Sequence, residues 1–231
     1  SHSFHEGLVM SDTESTHETN RNFYDRISSA YDAIADSNEH AARESGQSLL
    51  DVHPGERVLE IGFGTGNSLL DFANDVGETG RVCGIDVSQG MLDVANRKIR
   101  DTPMAARVDL RLGDAIELDL PDDSFDAVFL SFTLELFSQA DIVRVLQELQ
   151  RVLVPGGRLG NVSMATTLDN EKESFLEKTY QWMHRHFPHI VDCRPIDAPT
   201  LIRTAGFDVR CEERLEIWTM PVSVVLATKQ A

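Results

Sequence analysis

The seven residues Glu60-Ile61-Gly62-Phe63-Gly64-Thr65-Gly66 constrain the fold of this chain more than any other stretch. They join a short apolar run, Arg57–Gly62, to a helical period over Asn67–Val76. Glycines at alternate positions let the backbone turn tightly and let a ligand approach it. The same order, strand then helix, recurs downstream. Arg81–Val87 reads as a second strand and Gln89–Arg100 as the helix after it. Val108–Leu112 and Phe125–Leu130 read as a third and fourth strand. Asp141–Leu153 is an amphipathic helix stopped by Val154-Pro155-Gly156-Gly157, and Arg158–Ser163 is a fifth strand. Strands that alternate with helices, and that are apolar almost throughout, predict a doubly wound, mostly parallel sheet with helices on both faces. The end of the chain breaks the rhythm. A helix over Thr200–Ala205 ends at Gly206. The strands Asp208–Ile217 and Val222–Thr228 follow without room for a crossover, which predicts an antiparallel C-terminal pair and seven strands in all.

Composition narrows the function. The chain is 41% apolar and carries a formal net charge of −17 from 38 acidic and 21 basic residues. A surface this negative repels a phosphate backbone, which argues against nucleic-acid binding. No apolar run approaches the roughly 18 residues of a membrane-spanning helix. Cys83, Cys193 and Cys211 show no C-x-x-C spacing, so they read as packed thiols in a reducing, cytoplasmic setting. Residues 1–20 read as an expression tag and a disordered tail, and 21–231 as one domain. That domain opens with a lid helix over about 21–50. A cap insertion over about 164–199, rich in aromatics and histidines, lies where ligands bind in open parallel sheets.

The start of the helix after the glycine loop offers free N–H groups to an anion. Asp86, at the end of the second strand, is placed to accept hydrogen bonds from both hydroxyls of a ribose, or else to cap the next helix. Two cofactors fit this outline. A dinucleotide requires G-x-G-x-x-G. The last place is Asn67 when read from Gly62 and Leu69 when read from Gly64, so neither register fits.

The pattern that does fit, E-x-G-x-G-x-G, resembles motif I of the class I, seven-stranded, Rossmann-like S-adenosylmethionine-dependent methyltransferases. Three further stretches are similar to that family: Gly113-Asp114-Ala115, Leu120-Pro121-Asp122-Asp123-Ser124-Phe125-Asp126, and Leu153-Val154-Pro155-Gly156-Gly157-Arg158. Phe23-Tyr24-Asp25, Tyr31-Asp32 and Asp192-Cys193-Arg194-Pro195-Ile196 look most like the ubiquinone/menaquinone-biosynthesis group. The resemblance implies a cofactor, S-adenosyl-L-methionine, with S-adenosyl-L-homocysteine as product. It also implies a lipophilic or aromatic small-molecule acceptor. Gly62, Gly64 and Gly66 would meet the methionine half, flanked by Thr65 and Asn67, with Glu60 holding the amino group or the loop. Asp86 would hold the ribose. Val87 and Met91 would pack on the adenine, Asp114 would accept from its amino group, and Ala115 would lie beside it. Ser131 and Phe132 would border the sulfonium.

Several side chains keep two readings. Tyr24 and Tyr31 share a helix face. They are either core packing or a lid, with Tyr31 on the cofactor and Tyr24 on the acceptor. His184, His186 and His189 have a spacing poor for a metal site, and Pro188 interrupts it, so no metal is expected. His184 is a candidate substrate residue, and a single one of the three histidines could serve as a general base. Arg194 either pairs with an anionic or phenolic acceptor or is a surface arginine. Peripheral membrane contact and a homodimer are both compatible with this reading. The competing functions are a nicotinamide-dependent oxidoreductase and a non-catalytic binding module on the same fold.

Overall fold

In this computed structural model, residues 39–166, 194–217 and 220–230 are described. The predicted tail, Tyr24, Tyr31, and the greater part of the cap with His184, His186 and His189 lie outside them. Of the predicted lid helix, residues 39–50 are described and are helical (α1).

The elements that follow are β1 (Arg57–Ile61), α2 (Asn67–Asp75), β2 (Arg81–Asp86), α3 (Gln89–Arg100), β3 (Val108–Leu112), β4 (Phe125–Ser131), α4 (Gln139–Val152), β5 (Leu153–Met164), α5 (Ala198–Thr204), β6 (Phe207–Ile217) and β7 (Met220–Lys229). They form a seven-stranded sheet in the order β3-β2-β1-β4-β5-β7-β6. The pairs among β1 to β5 are parallel, while β7 runs antiparallel to both β5 and β6. The predicted C-terminal pair is therefore present, with β7 inserted between β5 and β6.

Side chains alternate across the strands and feed two cores. On one face Val58, Phe129, Val162 and Val224 pack under α1, α2 and α3 through Leu50, Phe72 and Ile99. Phe72 and Phe129 meet edge to face, ring centroids 5.2 Å apart. Gly46 lets α1 lie close to β5: a Cβ there would stand 2.5 Å from a Val162 methyl. On the other face Leu59, Val128, Leu130 and Leu159 pack under α4 and α5 through Ile142, Leu146, Leu149 and Ile202.

Element boundaries shift where a cap or bulge overrides periodicity. α4 begins two residues early because the Ser138 hydroxyl accepts from Asp141 N–H. β5 starts at the last turn of α4 instead of at Arg158. Val154-Pro155-Gly156-Gly157 is a bulge within it, with Phe125 opposite Leu153 and Ala127 opposite Arg158. α5 begins at Ala198, since the Asp197 carboxyl caps Thr200 N–H. The predicted cap insertion accordingly starts inside β5 and ends inside α5. Strand order reverses between β1 and β4, and ligands in open sheets bind at the carboxyl ends of such strands.

Candidate functional site

A cleft of about 340 Å³ opens at that switch point, within the size range of small-molecule sites. The loop between β1 and α2 forms its floor. Gly62 sits at φ 70° against Thr133, whose Oγ1 would lie 2.4 Å from an added Cβ. Only glycine permits both the left-handed backbone and that approach. Gly64, at φ 54°, would direct a Cβ into open space, so its backbone is bare toward the cleft. Phe63 anchors the loop from below: it is buried and packs over Gly84 on β2, where a Cβ would meet its ring at 2.7 Å.

Asp86 ties this loop to the next. Its Oδ2 accepts from Gly64 N–H at 2.9 Å and its Oδ1 from Ser88 N–H at 2.9 Å. Burial raises its pKa, against the pull of the Ser88, Gly64 and Val87 N–H groups. The helix-capping reading is corrected: Ser88 caps α3, its hydroxyl accepting from Met91 N–H. With three backbone N–H groups drawn onto it, the carboxylate keeps one of its four lone pairs for a ligand hydroxyl.

The walls gather most of the remaining predicted residues. Val87, 67% exposed, and Met91, buried, lie on one side of the cleft, with Asp114 and Ala115 beside them. Asp114 is also a turn acid, its Oδ1 accepting from Ile116 N–H at 3.1 Å. Ser131 and Phe132 form the opposite wall. Phe132 has φ 50°, unusual for a bulky residue, and its N–H donates to Val162 O at 2.7 Å. That kink turns the chain across the cleft and brings Thr133, Leu136 and Phe137 to its edge.

Five predicted residues among those described lie outside the lining. Glu60, Thr65 and Gly66 are buried behind the loop. Asn67 turns its side chain to α3, where its Oδ1 accepts from Lys98 Nζ at 2.5 Å. Glu60 is 2% exposed, and burial pushes its carboxyl up to about 8, moderated by the Ser68 hydroxyl and the Arg43 charge. Arg194 is exposed, ahead of α5, and does not line the cleft.

Thr133, Leu136 and Phe137 escaped sequence analysis, as did Glu135 between them. The signal was present as Thr-x-Glu directly after a buried strand, where polar residues at a carboxyl edge face ligands. Glu135 is 2% exposed; its Oε1 accepts from Met164 N–H at 3.0 Å, and burial pushes its carboxyl up to about 7. Among the described residues no cluster of His, Cys, Asp or Glu could hold a metal ion, and no helix is long and apolar enough to cross a membrane.

Comparison with known proteins places this cleft in a family setting. The family described as a methyltransferase domain matches residues 58–157. Demethylmenaquinone methyltransferase of Symbiobacterium thermophilum is 37% identical over 145 residues, covering 60% of this chain and 56% of that protein. The 2-phytyl-1,4-naphtoquinone methyltransferase of Synechococcus elongatus is 42% identical over 111 residues, 48% of this chain and 47% of that protein. The chain thus spans about half the length of the curated relatives it matches. Among solved structures, a SAM dependent methyltransferase from Aquifex aeolicus superposes with a TM-score of 0.66 at 22% identity, over 89% of this chain and 98% of that one. SpnF, described as a 4+2 cyclase, gives a TM-score of 0.72 at 20% identity, over 91% and 94%. At these identities the superpositions establish the shared fold.

Proposed function

We propose that the chain transfers a methyl group from S-adenosylmethionine to a lipophilic aromatic acceptor of the hydroquinone type; the match of residues 58–157 to a methyltransferase-domain family and the class I methyltransferase fold of the sheet support this reading. The observation that carries this reading is the Gly64–Asp86 pairing at the floor of the cleft. It presents a bare backbone and a buried carboxyl side by side, one suited to an amino-acid tail and the other to a ribose.

The residues present fit the cofactor. Gly64 leaves its side of the cleft open. Asp86 has one lone pair to spare after its three backbone bonds. Val87 and Met91 give an apolar flank for a flat base, and Asp114 stands beside it. S-adenosylmethionine would supply the methyl group already activated on a sulfonium, so the protein's share is alignment and exclusion of water. Ile61, Ile85 and Phe137 keep the cleft largely apolar, which does not oppose a positive charge that fades during transfer. Ser131 and Phe132 border the side of the cleft toward β4 and β5, where the acceptor would approach.

The acceptor class rests on the relatives, two of which are named for naphthoquinone-type substrates. The fold alone does not choose it, since the same architecture serves a cyclase. The test is transfer of labelled methyl from S-adenosylmethionine to short-prenyl 1,4-naphthohydroquinones. Incorporation into the ring carbon or hydroxyl is expected. Saturable cofactor binding with no transfer to any hydroquinone removes the acceptor class and leaves the cofactor assignment standing.

A further inference from the structure

We infer that Glu135 receives the proton the acceptor loses during methyl transfer, acting from the turn that links β4 to α4. The inference rests on the methyl-transfer reading above and names what that acceptor must carry: an ionisable hydroxyl.

Glu135 sits in a one-turn helix, Leu134–Leu136. The residues just before it (Ser131, Phe132, Thr133) and just after it (Leu136, Phe137) line the cleft, while Glu135 itself is buried behind them, so the proton reaches it through one intervening water. Its position has a plain structural component. Phe132 N–H donates to Val162 O as the last backbone bond between β4 and β5, so Met164 N–H, one step further along β5, has lost its strand partner. Glu135 Oε1 takes that place. A glutamine would do the same through its amide oxygen without burying an ionisable group, which is costly. The excess feature is the second oxygen. Oε2 is fully buried and has no hydrogen-bond partner among the described residues.

The surroundings are polar as well. One residue along β5 from Met164 is Ser163, buried and paired across strands with buried Ser223. Asn161 Nδ2 donates to Ser163 Oγ at 3.1 Å, while Asn161 Oδ1 and Ser223 Oγ have no partner among the described residues. Buried polar atoms left in this way are usually satisfied by ordered water. The patch lies on the strand pair whose Met164 N–H the Glu135 carboxyl accepts. Among the described residues no charged side chain contributes to the shift of Glu135; the opposing influences are its own N–H and that of Met164. A carboxyl that titrates near neutrality is well matched to proton acceptance.

The step balances without a further reagent. The acceptor's nucleophilic atom bonds to the methyl carbon as the carbon–sulfur bond breaks and its electron pair stays on sulfur. The acceptor's hydroxyl proton passes to Glu135 Oε2 and then to water.

The test compares wild type with Glu135→Gln, which keeps an acceptor for Met164 N–H. With a short-prenyl 1,4-naphthohydroquinone, kcat of the variant is expected to fall about 100-fold or more. Affinity for S-adenosylhomocysteine and the melting temperature should stay close to wild type. Wild-type kcat should decline on the acid side of about pH 7, and that limb should vanish in the variant. A Gln variant with wild-type kcat and an unchanged pH profile overturns the inference alone, as does a wild-type profile with no limb in that region. Absence of transfer by wild type to any hydroquinone overturns this inference together with the acceptor class.

Discussion

The two halves of the sheet's carboxyl edge are built by different means. On the β1–β2–β3 side the site is mostly backbone: a glycine loop, two strand ends, and one carboxyl, Asp86, that clamps Gly64 and Ser88 N–H groups together. On the β4–β5–β7 side it is mostly side chains, with Glu135, Asn161, Ser163 and Ser223 all buried and three of their polar atoms unpartnered among the described residues. The first half is a preassembled cradle. The second holds unspent hydrogen-bonding capacity behind the cleft, since these four side chains are not among the residues that line it. Each half contains one buried glutamate, yet Glu60 is answered by Ser68 and Arg43 while, among the described residues, Glu135 has only backbone N–H groups to lower its pKa.

The contact where the halves meet should be the most sensitive point. Gly62→Ala forces a Cβ to 2.4 Å from Thr133 Oγ1 at a φ of 70°. Overpacking and the left-handed backbone together cost about 2–5 kcal/mol. Urea unfolding should show that loss, and cofactor binding should disappear with it. Wild-type stability in this variant would mean that the loop and the β4 turn do not press on one another.

Within the cradle, Asp86→Ala removes the proposed ribose contact and the acceptor for the Gly64, Ser88 and Val87 N–H groups. S-adenosylhomocysteine affinity should weaken by about 1.5–3 kcal/mol, with a lowered melting temperature. A lowered melting temperature with unchanged affinity would assign Asp86 a structural task only.

A smaller effect separates the two glutamates from ordinary surface acids. Folded Glu60 holds its proton up to about pH 8, whereas a glutamate carboxyl ordinarily titrates near 4.5. Between those values the folded state binds more protons, so stability present at low pH is lost as pH rises. Glu60→Gln should flatten that decline, raising the melting temperature at pH 9 and leaving it nearly unchanged at pH 4. Equal gains at both pH values would show that Glu60 is not neutral in the folded protein at low pH. The smallest change is expected at Val143, 47% exposed on α4 away from both halves. Val143→Ser should alter stability by no more than about 0.5 kcal/mol, measured by urea unfolding.

The same contrast explains how much was legible in the sequence. Strand and helix order followed from hydrophobic periodicity, since parallel strands buried on both faces are apolar throughout. The cradle was legible because its chemistry is backbone, and backbone needs show as glycine spacing. Gly62, Gly64, Asp86, Val87, Met91, Asp114, Ala115, Ser131 and Phe132 all reach the cleft. Asn67 does not, because Lys98 from the neighbouring helix draws its amide away, a contact between residues 31 apart that no local pattern reveals. Glu135 was missed for a related reason. Its partner, Met164 N–H, lies 29 residues away, and its burial depends on the strand that ends beside it. Val154-Pro155-Gly156-Gly157 read as a stop, but the ladder resumes across it, since a bulge tolerates proline and glycine.

Calorimetric titration with S-adenosylhomocysteine and, separately, with a reduced nicotinamide dinucleotide probes the cradle directly. A saturable one-to-one heat with the first ligand, none with the second, and marked weakening of the first in Asp86→Ala is the expected pattern. Saturable binding of the dinucleotide beside a flat titration with S-adenosylhomocysteine would contradict it.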